Sequence, residues 1–385
     1  MNLGIGLGLT NYLRVPTVAL DPDAAIAALF QTGTPGVYYE GAWYDPSDST
    51  TVFQDSTGTT PATVGDPVGL ILDKSKGLTL GSELAINGTF DTDTGWAKGA
   101  GWTISGGVAQ KAAGSANSYF SQNQGLTVGG WYKVEMDISG SQGVTDFVQL
   151  YDGVAVLASF VGANGHVSAI VQVRADYVML RGVTPNVTIT VDNFSVKELP
   201  GNHATQSTSA ARPVLQQSGG LYYLDFDGVD DWMVVNYGST LANITRAAGY
   251  RMDTVGRFFA DDDGDVNYAS MAILTDGNLR WGVNGAGSGN NIVGTGGWDI
   301  GADGVVVATA SSGSALTLQG TGTSASGTSA PAPANITGAT IGAAATGLLE
   351  MNGRIYGFID IDRVLDAAEI TSVETYLAAK SGVTL

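Results

Sequence analysis

The feature that most restricts what this chain can fold into is a repeated two-residue alternation of apolar and polar side chains. Tyr222, Leu224 and Phe226, then Val134, Met136 and Ile138, then Val187, Ile189 and Val191, then Ile355, Gly357, Ile359 and Ile361 each line one side of an extended backbone. Between such stretches stand Asp152-Gly153, Asn164-Gly165, Asp227-Gly228, Asp276-Gly277 and Asn352-Gly353, dipeptides suited to the positive φ of tight hairpin turns. The pattern predicts half-buried strands in antiparallel sandwiches rather than crossover units around a parallel sheet. Composition agrees: 55 of 385 residues are Gly and only 14% are charged, against about 25% in ordinary soluble domains. After Val191 the apolar phase slips by one residue to Phe194 and Val196, which predicts a bulge at Asp192-Asn193. Residues 311–334 are rich in Ser, Gly, Thr, Ala and Pro but keep Leu316 and Leu318 in alternation, so a strand with long loops is expected there.

Helical signals are confined to the two ends. Asp21 as N-cap, Pro22 at the first helical position and the run Ala24 to Phe30 predict a short helix that stops near Gly33. Asp366 and Glu369 form a capping box, Ile370, Val373 and Leu377 share a face, and Lys380 with Gly382 closes the helix. Ahead of both, Leu3, Ile5, Leu7 and Leu9 alternate with glycine, an apolar arm too costly in backbone entropy to order alone. Two readings of residues 1–20 stand side by side: a frayed end or edge strand of the chain's own fold, or an arm that docks on another subunit. The first basic residue is Arg14, which argues against a signal peptide, and no 18-residue apolar run predicts a membrane span.

Charge removes further classes. Seventeen Lys and Arg against 36 Asp and Glu leave a net charge of −19, so a phosphate backbone or an anionic membrane surface would be repelled; no nucleic acid and no membrane insertion are expected. The chain has no Cys, which excludes disulfides, thiolate metal sites and Cys nucleophiles.

Several motifs carry a family resemblance. Trp43-Tyr44-Asp45-Pro46-Ser47-Asp48, Phe53-Gln54-Asp55, Gly201-Asn202-His203-Ala204-Thr205-Gln206, Ala211-Arg212-Pro213 and Tyr223-Leu224-Asp225-Phe226-Asp227-Gly228-Val229-Asp230-Asp231 resemble the laminin-G-like, concanavalin A-like domains of tailed-phage virion proteins. In that family an Asp-x-Ser-Gly stretch usually runs directly into Gly-Asn-His-Ala-Thr-Gln, whereas here Asp73-Lys74-Ser75 stands about 125 residues before Gly201. An inserted domain over 77–199 accounts for the gap, since a surface loop accepts an insertion at little cost in stability. Within it Asn87-Gly88-Thr89-Phe90, Gly95-Trp96, Gly101-Trp102-Thr103-Ile104, Trp131-Tyr132-Lys133-Val134 and Val191-Asp192-Asn193-Phe194-Ser195-Val196 resemble family 4/9-type carbohydrate-binding modules, which are jelly rolls. The expected fold is therefore all-β: a discontinuous concanavalin A-like sandwich of 21–76 and 200–385, an inserted jelly-roll sandwich, and short helices near both termini.

Candidate sites follow from aromatics and acids. Glycan sites lay flat aromatic faces against a sugar ring, and the insert carries Trp96, Trp102, Trp131, Tyr119, Tyr132 and Tyr151. Large inward residues of a sandwich core are the first explanation for any one of these; Trp102 with Tyr119 is the expected stacking pair because both adjoin Gly- and Ser-rich stretches, with Trp96 and Trp131 as further candidates. Asp261, Asp263 and Asp265 around Gly264 look like a Ca²⁺ loop, but Ala272 stands where an EF-hand needs Glu, so a solvated acidic turn is the competing reading. The insert's resemblance implies a second structural Ca²⁺ position near Asn87, Asp91 and Asp192. Catalysis has little support: Glu135-Met136-Asp137 begins a glucanase-like acid pattern, yet Gly140 replaces its second Glu, and the two acids share the outward face of a strand. Arg174, Arg181, Arg251 and Arg257 suit either ordinary salt bridges or clamps on an acidic sugar.

The resemblances together imply a subunit on the virion surface, a fibre, spike or capsid decoration protein, that binds cell-surface polysaccharide without catalysing a reaction. It would join other virion proteins through residues 1–20 and act as a homo-oligomer, a trimer by analogy with other fibres. A purely structural decoration protein and a polysaccharide-degrading virion enzyme are the alternatives.

Overall fold

The computed structural model describes residues 21–114, 117–141, 147–183, 187–260, 267–273, 278–285, 291–294, 300–311, 315–321, 323–328, 336–343 and 350–385. The apolar arm of residues 1–20 and the Asp261, Asp263 and Asp265 loop lie outside them.

The described residues are all-β with two α-helices, and their strands form four antiparallel sheets that pair into two sandwiches. One host sheet runs in the order Val214–Ser218, Leu221–Asp227, Asn352–Ile361, Ile244–Met252, Asp303–Ala310, Ala315–Gly320 and Thr323–Thr328, with Gly41–Tyr44 also paired to Asn352–Ile361. The facing sheet runs Val52–Phe53, Leu70–Ile71, Ala204–Thr205, Met233–Leu241, Ile336–Ile341, Gly256–Ala260, Asn267–Ile273, Leu279–Gly285 and Asn291–Gly294. Phe226, Met233, Tyr250, Phe258, Trp281 and Phe358 fill the space between them. Helix α1 (Pro22–Leu29) and helix α2 (Ala367–Ser381) cover the outer side of the first sheet, burying Ile26, Phe30, Val373 and Leu377 against Trp43, Val305, Val307 and Ile359. Both begin on the caps expected from sequence: Asp21 accepts the Asp23 N–H, and Asp366 and Glu369 exchange side-chain and backbone bonds in a capping box.

The strands of the second sandwich lie within residues 97–198. Its first sheet runs Gly165–Gln172, Trp131–Ser139, Ile189–Glu198, Val108–Lys111 and Trp102–Ser105; its second runs Val156–Val161, Phe147–Tyr151, Met179–Gly182, Ser118–Ser121 and Ala97–Lys98. It owns a separate core in which Phe120 stacks between Trp96 and Trp102 at centroid separations of 4.5 and 4.9 Å. The phase slip after Val191 is a bulge: the ladder with Trp131–Ser139 shifts between Asp192 and Ser195, with Asn193 at φ 50°. Asn352-Gly353, by contrast, is not a turn. It opens the long strand Asn352–Ile361, where a Cβ at Gly353 would meet the Arg251 carbonyl oxygen at 2.1 Å, so only glycine admits the neighbouring strand.

The two sandwiches meet where the chain leaves and re-enters the host. There the fully buried Asp73 carboxylate accepts the N–H groups of Trp43, Ser75 and Asn202 at 2.8 Å each and the Ser75 hydroxyl at 2.8 Å. The Asp73 N–H in turn donates to His203 Nδ1 at 3.0 Å. Two motifs about 125 residues apart in sequence are thus one knot. Beside it Leu70, Leu72, Trp131, Ile170 and Leu199 form an apolar contact shared by both sandwiches. The backbone also crosses: Ile170 N–H donates to the Thr57 carbonyl at 2.8 Å.

Candidate functional site

A strand buried on one side shows its alternate residues to solvent, and the three central strands of the second sheet of the inserted sandwich follow that rule. Phe120, Leu180, Val148 and Leu150 point inward with no exposure. Their neighbours form a row across four strands: Tyr119 stands opposite Arg181, Arg181 opposite Gln149, and Gln149 opposite Ser159. Tyr151, two residues beyond Gln149, lies on the same outer face. The Tyr119 and Tyr151 rings are 5.6 Å apart and tilted by 34°. The Arg181 guanidinium carbon is 5.9 Å from the Tyr119 centroid and 5.8 Å from that of Tyr151, within cation–π range of both.

Neutral acceptors fix this group. Arg181 Nη1 donates to Gln149 Oε1 at 3.3 Å and Nη2 to Asn117 Oδ1 at 2.9 Å, while Gln149 Nε2 donates to Ser159 Oγ at 3.1 Å. Arg181 Nε is buried without a hydrogen-bond partner. Tyr151 donates its hydroxyl to the Gly153 carbonyl at 3.2 Å, which holds the ring against the turn at positive φ. The result is a rigid surface of two aromatic rings, one cation, an amide and a hydroxyl, with Tyr119 39% exposed. Such a surface stacks on the apolar face of a sugar ring and hydrogen-bonds its hydroxyls.

Of the four aromatics expected to bind glycan, the structure brings only Tyr119 to this face. Trp102 is 4% exposed because its strand buries alternate residues, Trp102 and Ile104 inward and Thr103 and Ser105 outward. Its indole N–H is spent on the Ser118 carbonyl at 3.2 Å. Trp96, 8% exposed, stacks on Phe120 and directs its indole N–H to the Asn87 carbonyl. Trp131 does face away from its own core, but the host covers it: it is 7% exposed and lies 5.0 Å from the His203 ring. The expected Trp102 and Tyr119 pair is therefore replaced by Tyr119 and Tyr151. Tyr151 is legible as an insert aromatic, but its pairing with Tyr119 depends on a register through Met179–Gly182 that no local pattern announces.

The acids Asp91 and Asp192 have local partners. Asp91 accepts the Thr89 hydroxyl at 2.6 Å and Asp192 accepts the Asn193 N–H at 2.7 Å, each within its own turn, while the Asn87 side chain ties down Thr92 and Thr94. Among the described residues neither Asp91 nor Asp192 belongs to a group of three acids or histidines; the group that does gather three acids is Asp227, Asp230 and Asp231, with ligand atoms within 4.8 Å of one another. Burial, and the neighbouring carboxylates of Asp227, Asp230 and Asp225, push Asp231 up to about 6 although it accepts the Asp227 N–H. Glu135 and Asp137 share the outer face of the other sheet, where His166 approaches them at 3.5 and 3.2 Å. Burial opposes ionisation of Glu135, yet Lys133 and His166 hold it below its ordinary range; the Asn193 amide and His166 do the same for Asp137. A general acid needs the opposite shift.

Two clefts of about 480 and 370 Å³ flank the junction, and Trp131 and Gln172 line both. His203 sits beside them as a structural group: burial and the Lys76 charge push its pKa down to about 3, so it stays neutral and accepts through Nδ1.

No protein-family model matches the sequence, and no curated protein matches it. Among solved structures, domains LG4-5 of the mouse laminin alpha1 chain align at 13% identity over 72% of this chain and 94% of that one, with a TM-score of 0.29. The N-terminal CBM22-1-CBM22-2 tandem domain of Paenibacillus barcinonensis Xyn10C aligns at 9% identity over 76% of this chain and 94% of that one, with a TM-score of 0.24. At such identities and scores no residue of either protein is matched to a site of this chain.

Proposed function

We propose that the chain is a glycan-binding subunit of a phage virion surface, a fibre, spike or decoration protein that holds cell-surface polysaccharide through the Tyr119, Arg181 and Tyr151 face of its inserted sandwich. The observation that carries the reading is the pair of tyrosine rings 5.6 Å apart on an outer sheet face, with a guanidinium near both. A tyrosine left on a strand's solvent face adds nothing to the core, whereas stacking gives it a use. The virion assignment rests on the sequence resemblance of the host motifs. In that setting residues 1–20 attach the subunit to the particle, and a homo-oligomer, taken as a trimer, multiplies weak contacts into adhesion through avidity.

The test is a glycan array probed with the full chain, with reducing ends assayed in the same wells. Binding that falls by about 10-fold in Tyr119→Ala and in Tyr151→Ala, without sugar release, supports the reading. Unchanged binding in both variants refutes this site. Absence of binding by the parent chain supports a purely structural decoration role, and sugar release supports a degrading enzyme.

A further inference from the structure

The ligand class of the same face can be narrowed, an inference that rests on the glycan reading above. We infer that Arg181 selects a sugar bearing a carboxylate, a hexuronate-type residue, rather than a neutral glycan. Four other guanidinium groups are committed. Arg246 bonds to Asp360, Arg251 to Asp253 at 2.8 Å, and Arg363 to Glu369 in a two-pronged pair at 2.8 Å. Arg212 is used on the backbone carbonyls of Gln206, Gln54 and Ser207. Unlike Arg246, Arg251 and Arg363, Arg181 pairs with no carboxylate among the described residues, although the chain carries 36 acids against 17 Lys and Arg. Its two recorded acceptors, Gln149 Oε1 and Asn117 Oδ1, are neutral amide oxygens that orient the fork without cancelling its charge. A guanidinium offers five N–H donors, so these two bonds leave three without an acceptor among the described residues: the buried Nε–H and one N–H on each Nη.

Electrostatics sharpen the point. A chain of net charge −19 repels an acidic polymer in general, so an acidic ligand is held only where a cation is fixed and local. Tyr119 and Tyr151 flank that cation and offer ring faces to the apolar side of a pyranose, while a carboxylate at the sugar's edge accepts from the planar fork. Arginine suits this better than lysine because its donors match a carboxylate's two oxygens.

The experiment compares polygalacturonate with its fully methyl-esterified form, two ligands with the same rings that differ in charge, on the full chain, beside alginate, hyaluronan and their neutral counterparts. The expected result is about 10- to 100-fold tighter binding of the acidic forms, falling as salt rises from about 0.05 to 0.5 M. Arg181→Gln, its fold checked by circular dichroism, should bring acidic and neutral forms level, while Tyr119→Ala weakens both. Equal affinity of the parent chain for acidic and neutral forms overturns the assignment without needing any variant, and so does an Arg181→Gln chain that keeps its preference. If either result comes with loss of binding in Tyr119→Ala, the glycan reading stands and only the acidic class falls. If the tyrosine variants change nothing, or no ligand binds, both fall. Dextran sulfate is the control for charge alone, and binding it more tightly than every uronate, independently of the tyrosines, also overturns the proposal.

Discussion

Lowering the pH acts on the knot between the two sandwiches through two buried groups of opposite sign. His203 has an ordinary pKa near 6.5 and is pushed down to about 3 by burial and by Lys76. Its contribution is therefore fully present above pH 6.5 and is lost as pH falls toward 3, because the unfolded chain takes up the proton first. A gap of about 3.5 pH units at about 1.4 kcal/mol each amounts to about 5 kcal/mol. Asp73 is raised from 3.8 to about 6 by burial, against the hydrogen bonds from Asn202, Ser75 and Trp43. Its native form gains the proton first, so it adds about 3 kcal/mol as pH falls from 6 to 3.8. Between those limits the two slopes cancel, and the knot weakens only above and below that window. Asp73→Asn removes one slope and leaves the other. The variant is less stable at every pH, because an amide N–H₂ replaces an oxygen that accepts from Asn202 and Ser75. The diagnostic quantity is the gap between variant and parent, which should widen by about 3 kcal/mol from pH 6 to pH 4. Urea melts followed by tryptophan fluorescence at several pH values read it, with Trp43 and Trp131 adjoining the knot. Parallel pH curves for parent and variant would refute the argument.

Four further substitutions probe the packing. Phe120→Ala should cost about 3–5 kcal/mol while Tyr119→Ala, one residue away, should cost less than about 1 kcal/mol; similar melting shifts would contradict the inward and outward assignment. Gly58→Ala meets Ile170 Cβ at 2.9 Å from a backbone at φ 59° and should destabilise the chain by about 1–3 kcal/mol, read from its unfolding midpoint. Trp131→Ala should loosen the junction by about 3–5 kcal/mol and split calorimetric melting into two transitions, yet leave glycan binding in place; lost binding would place the site at the junction clefts instead.

Local patterns carried much of the fold. The capping box at Asp366 and Glu369, the Asp21 cap and the bulge after Val191 depend on contacts within a few residues, and each forms as its spacing implies. Asn352-Gly353 misleads because the same dipeptide serves a tight turn and a close crossing of strands, and only the position of Arg251 separates the two. At the candidate site, adjacency to Gly- and Ser-rich segments is a poor guide to exposure, whereas parity is a good one. Tyr119 sits beside the inward Phe120, while Trp102 shares the parity of Ile104. Parity fails for Trp131, which points outward from one sandwich into the side of another. Long-range register hides the rest: Tyr119, Arg181 and Tyr151 come from three strands spread over more than 60 residues, and nothing near any of them names its partners.

The most direct test of the central claim is hydrogen–deuterium exchange on the full chain, with and without the glycan that binds most strongly on the array. The account predicts slowed exchange in Ser118–Ser121, Phe147–Tyr151 and Met179–Gly182, with the junction and the host sandwich unchanged. Protection confined to the junction segments around Trp131, Gln172 and Asn202, or to the host strands, would contradict it.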